Sequence, residues 1–85
     1  MEVAYSQKAL ADLKYWQGSG NVKMQRKISN LIEAIQQHPF TGIGKPEALK
    51  HELTGKWSRR INDEHRLIYA IDRRIIKIYS LKGHY

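Results

Sequence analysis

The run "KWSRRINDEHRLIYAIDRRIIKIYSL" (56–81) decides the fold. It holds three strand-length apolar stretches, 56–61, 65–71 and 74–81. The short polar breaks "NDE" and "DR" between them read as tight turns. Residues 67–71 are apolar at both parities, as in a central strand covered on both faces. Just upstream, "TG" (54–55) sets off "LKHEL" (49–53), a fourth strand-length run. Before that, "FTGIGKPEA" (40–48) has two Gly and a Pro in nine residues and reads as a loop.

Upstream of the loop the period changes. Ala9, Leu10, Leu13 and Trp16 fall at helical spacing, with Ser6 as the N-cap, which predicts a helix over 7–17. "GSGN" (18–21) breaks it. A second helix spans 22–37, with Met24, Ile28, Leu31, Ile32 and Ile35 as its apolar stripe, and Pro39 lies just past its end. Lys23, Arg26 and Lys27 face outward. "EVAY" (2–5) alternates and reads as an edge strand. The order β-α-α-β-β-β-β defines one α+β domain over 1–85. A helical hairpin covers one face of an antiparallel sheet, and the other face is left for function.

Eighty-five residues make a single core. There is no cysteine, so disulfides and thiolate metal sites are excluded. His38, His51 and His65 lack the spacing of a zinc helix, and neither a metal nor a cofactor is expected. No apolar run approaches the roughly 18 residues of a membrane span, and "MEVAYSQKAL" lacks a signal-peptide pattern. A cytoplasmic protein is expected. The net charge is +7, of which residues 45–85 contribute +5. That asymmetry favours a polyanionic partner such as nucleic acid.

The chain closes on "SLKGHY" (80–85), where a frayed tail would more often be small and polar. His84 and Tyr85 join Glu47, Arg59, Arg60 and Arg66 as residues with chemistry to offer. Cleavage of RNA by its own 2′-hydroxyl needs a base, a cation beside the phosphorane and an acid for the leaving oxygen. It needs no metal, because the nucleophile is already attached to the substrate. Taken singly, each residue reads more plainly: a solvated loop carboxylate, surface arginines, an Arg66 paired with Asp63 or Glu64. Strand parity sharpens the picture. Trp57, Arg59 and Ile61 share one face, while Lys56, Ser58 and Arg60 share the other. If Asn62 to Glu64 form the turn, Ile61 lies opposite His65 and Arg60 opposite Arg66, the register expected here; a two-residue turn at Asp63-Glu64 would put Ile61 opposite Arg66 and separate the arginines. Two like charges side by side without an anion are unfavourable, which would itself signal function.

"KYWQ" (14–17), "HPFTGIGKPEALKHELTGKWSRRINDEHRLIYAI" (38–71) and the terminal "HY" resemble the YoeB/Txe family of bacterial toxins in the RelE superfamily. The resemblance implies a RelE-like fold and a ribosome-dependent endoribonuclease of a type II toxin–antitoxin pair, which cuts mRNA in the ribosomal A site and so inhibits translation. It implies Glu47 as general base, Arg66 as stabiliser of the transition-state phosphate, His84 as general acid, and Tyr85 as the residue that orients or stacks on the substrate. Lys50, His51, Arg59 and Arg60 are expected to hold ribosomal RNA and mRNA. The implied partners are a YefM/Axe-type antitoxin, the ribosome with its mRNA, operator DNA through the antitoxin complex, and a second copy in a homodimer. One departure is Lys82-Gly83, where some relatives carry a bulky basic residue directly before the final pair. Two rival readings are a non-catalytic basic module that binds RNA, the ribosome or DNA, and a domain whose basic face serves an acidic antitoxin segment. Convergence of Glu47, Arg66 and His84 on one space separates an enzyme from either.

Overall fold

The computed structural model describes residues 1–84; the expectation for Tyr85 lies outside the described residues. The elements are β1 (Glu2–Tyr5), α1 (Gln7–Gly18), α2 (Val22–Gln37), β2 (Glu47–Ala48), a 3-10 turn (His51–Leu53), β3 (Trp57–Arg60), β4 (Arg66–Asp72) and β5 (Ile75–Ser80). Ser6 Oγ accepts from the Ala9 N–H at 3.0 Å and Asn21 Oδ1 from the Met24 N–H at 3.1 Å, so each helix starts on a side-chain cap. Met24, Ile28, Leu31 and Ile35 bury the α2 stripe. They pack with Leu67 and Tyr69 of β4, Ile76 and Ile78 of β5, and Ile61 and Leu81 beyond the strand ends. Ile68 and Leu49 are buried too, outside that cluster. Apolar residues at both parities of β4 therefore cover both faces of a central strand, as the sequence implied.

The sheet runs β1-β5-β4-β3-β2, with β1 at an edge as expected. It is mixed, not antiparallel throughout: β1 pairs parallel to β5. No hairpin joins these two: the chain between them runs through both helices and the other three strands, so their direction is not tied to a tight turn. A second correction concerns "LKHEL". Strand pairing is confined to Glu47–Ala48, and residues 51–53 close a 3-10 turn in which His51 has φ 59°. Leu49 and Leu53 stand four apart, a spacing that suits one helical turn as well as alternation. The turn is fastened by Thr54 Oγ1 donating to the His51 carbonyl at 2.7 Å. A third difference lies in α1, where Leu10 is exposed and Asp12 is buried.

Arg59 requires the largest correction. It was expected to hold RNA, yet its surface is 0% exposed. It lies on the helix-facing side of β3, where parity puts it with Trp57 and Ile61. Its Nε donates to Tyr69 Oη at 3.2 Å, Nη1 to the Ile43 carbonyl at 3.0 Å, and Nη2 to the carbonyls of His38 and Thr41 at 2.6 and 2.9 Å. Tyr69 Oη in turn donates its own O–H to the Pro39 carbonyl at 2.6 Å. The guanidinium thus shapes loop 38–44 and has no face toward solvent. At Gly44, with φ +82°, a Cβ would stand 2.8 Å from Leu31 Cδ2 and 3.1 Å from Arg59 Cβ, so glycine alone fits. The Gly44 carbonyl accepts from the Arg60 N–H at 2.6 Å, which docks the loop against β3.

Burial raises the Tyr69 pKa above 10.0, and the neighbouring Arg59 offsets only part of the rise. The folded state therefore holds the phenolic proton more tightly than the unfolded chain. That contribution is present below the unfolded value and fades as pH rises through the folded one. Tyr69→Phe should cost about 1–3 kcal/mol at neutral pH, because it strips partners from Arg59 Nε and the Pro39 carbonyl. In urea melts the gap from wild type should narrow above about pH 10.

Candidate functional site

Loop 38–46 delivers Glu47 to β2, where it is the register partner of Ser58 on β3. Ser58 in turn faces Ile68 on β4. Directly opposite residues share a sheet face, so Glu47, Ser58 and Ile68 form one row across the face turned away from the helices. Arg60 lies two residues beyond Ser58 on the same face, and its partner is Arg66. The Ile61 N–H donates to the His65 carbonyl at 3.0 Å, which closes the turn at Asn62 to Glu64. Of the two registers the sequence allowed, the one with the turn at Asn62 to Glu64 is observed, and it sets the two arginines side by side.

Arg66 does not pair with Asp63 or Glu64. Its Nη1 donates to the carbonyls of Asn62 and His65 at 2.9 and 3.3 Å, which fixes the guanidinium without neutralising it. Its backbone N–H donates to the Gly83 carbonyl at 3.0 Å. His84, exposed, therefore leaves the chain immediately beside Arg66. Gly83 adopts φ +93°, a conformation that suits glycine and explains the Lys82-Gly83 departure as a built turn. Glu47, Arg60 and Arg66 thus share one face with Ser58 and Ile68, and the backbone enters His84 from Gly83, which is bonded to Arg66. Lys50 and His51 are exposed just beyond Glu47, in a shallow cleft of about 370 Å³ that Glu47 and Leu49 also line. A larger hollow of about 510 Å³, between α2 and Ile61-Asn62, is lined by Lys23, Arg26 and Lys27 but by no carboxylate or imidazole. It lacks acid–base chemistry.

Several residues near the site escaped the sequence reading. Lys56 Nζ sits 4.1 Å from the centre of the Tyr79 ring, a cation–π contact. His65 and Asp12 bind the backbone of the C-terminal segment, at Gly83 Nα–H and Leu81 Nα–H respectively. Asp12 carried a signal, a carboxylate where an amphipathic helix should be apolar; His65 carried none. Among the described residues, no cluster of three or more His, Asp or Glu could hold a metal ion, and no helix is long and apolar enough to cross a membrane.

A two-helix, five-stranded domain with basic and acid–base side chains on its uncovered face belongs to a recognisable class of small toxins. Residues 5–85 match the family model of the YoeB-like toxin of bacterial type II toxin–antitoxin systems, and the chain belongs to that family. It is 46% identical over 85 residues to a toxin YoeB from Synechocystis, covering 100% of this chain and 98% of the relative. The fold matches a YoeB/ParE toxin from Agrobacterium tumefaciens with a TM-score of 0.96 at 34% identity, both chains fully covered at 100%. It also matches the Staphylococcus aureus YoeB dimer, with a TM-score of 0.91 at 48% identity and coverage of 100% and 98%. The Staphylococcus aureus YoeB–YefM complex gives a TM-score of 0.91 at 49% identity, with the same coverage.

The Arg60–Arg66 juxtaposition carries a measurable trade-off. Arg60→Gln should raise stability at low salt by a few tenths of a kcal/mol, up to about 1, in urea melts. The same substitution should weaken binding of a single-stranded RNA oligonucleotide and lower the log K against log[salt] slope by about 1 in filter-binding titrations.

Proposed function

We propose that this toxin is a ribosome-dependent endoribonuclease that cuts mRNA in the A site and so stops translation. The observation that supports the reading is the register that sets Glu47, Arg60 and Arg66 on one sheet face, with His84 following the residue bonded to Arg66. The Glu47 carboxylate takes the proton of the 2′-hydroxyl, and the 2′ oxygen attacks the adjacent phosphorus. Arg66, with Arg60 beside it, holds the negative charge that builds on the phosphorane. The bond from phosphorus to the 5′ oxygen breaks, and the His84 imidazolium protonates that oxygen as it leaves. The products are a 2′,3′-cyclic phosphate and a 5′-hydroxyl. No metal is needed in this scheme, because the attacking oxygen belongs to the substrate. Tyr85, next in the chain, takes the substrate-orienting role that the family resemblance implies.

Lys50 and His51 extend the basic rim along the RNA backbone, and the ribosome positions the strand. The expected partners follow the family: a YefM/Axe-type antitoxin that covers the toxin, operator DNA reached through that complex, and a second copy of the chain. The workplace is the cytoplasm, where translating ribosomes are.

Primer extension on a defined mRNA in a translation mixture tests the reading. Wild type should give cuts at A-site codons, and Glu47→Gln and His84→Gln should each reduce them by about 10²–10⁴-fold. Cuts that persist in both variants would keep a nuclease but refute these roles. Blocked translation without cuts would leave an inhibitor that acts by occupancy.

A further inference from the structure

The chain beyond β5 is held at successive backbone groups. The Leu81 N–H donates to Asp12 Oδ2 at 3.0 Å, and the Leu81 carbonyl accepts from Trp16 Nε1 at 2.9 Å. The Lys82 carbonyl accepts from Lys8 Nζ at 3.1 Å. Lys8, Asp12 and Trp16 are four apart, so one stripe of α1 makes all three contacts. The next peptide is held from the other side. The Gly83 N–H donates to His65 Nδ1 at 2.9 Å, and the Gly83 carbonyl accepts from the Arg66 N–H at 3.0 Å. The His65 ring packs edge-to-face on Trp16, with ring centres 5.0 Å apart. Trp16 therefore links the two halves of the clamp.

We infer that His65 is a positioning residue: its Nδ1 lone pair holds the Gly83 N–H and so sets where His84 stands relative to Arg66. Nδ1 must be unprotonated to accept this bond, so in the clamped state the imidazole proton is on Nε2. His65 touches no reacting atom in this scheme. Residue 83 is glycine because the clamped backbone lies at φ +93°. The inference rests on the nuclease reading above and adds to it a requirement for neutral His65.

The test compares wild type, His65→Phe, His65→Asn, Trp16→Phe and His84→Gln in the ribosome-bound cleavage assay. Hydrogen exchange at the Gly83 amide is followed in the isolated toxin. His65→Phe keeps a ring against Trp16 but offers no acceptor. It should lower the maximal cleavage rate about 10- to 100-fold with the half-saturating ribosome concentration unchanged. The Gly83 amide should exchange faster while the Tyr69 amide keeps its protection. Asn places an oxygen near the Nδ1 position and should restore much of the rate and the protection. Trp16→Phe, which removes the Leu81 donor, should show a loss in the same direction. Wild-type cleavage by His65→Phe beside an inactive His84→Gln would overturn the inference and leave the nuclease reading intact. A His65→Asn no better than Phe would also overturn it. A wild-type toxin that cuts no mRNA would remove the nuclease reading, and this inference with it.

Discussion

Arg59 holds its guanidinium where none of its surface reaches water, and among the described residues its hydrogen bonds all go to neutral groups. Desolvating a guanidinium is unfavourable unless every donor finds an acceptor in good geometry. The planar fork of arginine suits that demand, because its N–H groups spread toward carbonyls on several sides at once. Here three carbonyls of loop 38–44 and the Tyr69 phenol supply them. The loop has little regular structure of its own, and the charge in effect selects its path. Gly44 then lets that path pass between Leu31 and β3. The placement of Glu47 depends on both, since it follows three residues later and enters the sheet opposite Ser58.

A second constraint acts at the far end of the same face. The Arg60–Arg66 pairing sets like charges against each other across neighbouring strands. Arg66 is steadied by carbonyls, which orient the head without removing its charge. The C-terminal segment is fastened with equal care, by side chains from α1, by His65 and by the backbone N–H of Arg66. The two ends of the site therefore rest on different supports, the loop on Arg59 and the tail on Asp12, Trp16 and His65.

Much of this was legible in the sequence. Period and caps placed both helices within a residue of their observed ends. Alternation along "KWSRRI" narrowed the Arg60–Arg66 register to two choices of turn length, and the expected one, with the turn at Asn62 to Glu64, is observed. What escaped depended on tertiary context. Parity had set Arg59 beside Trp57 and Ile61, yet its charge argued for the surface; only the loop carbonyls resolve that conflict. "LKHEL" fits a strand and a helical turn equally well, because two leucines four apart satisfy both. The direction of β1 was invisible, since no turn joins it to its neighbour. Asp12 and His65 act on backbone groups some 70 and 18 residues away, and local pattern carries no trace of such partners.

In the proposed reaction the RNA supplies its own nucleophile and the protein supplies a base, a cation and an acid. The ends of the cut RNA report on that chemistry without reference to any variant. Fragments released in the translation mixture should carry a 2′,3′-cyclic phosphate on the upstream piece and a 5′-hydroxyl on the downstream piece. A 3′-hydroxyl with a 5′-phosphate would mean that water was the attacking group, and would contradict the roles given to Glu47 and His84.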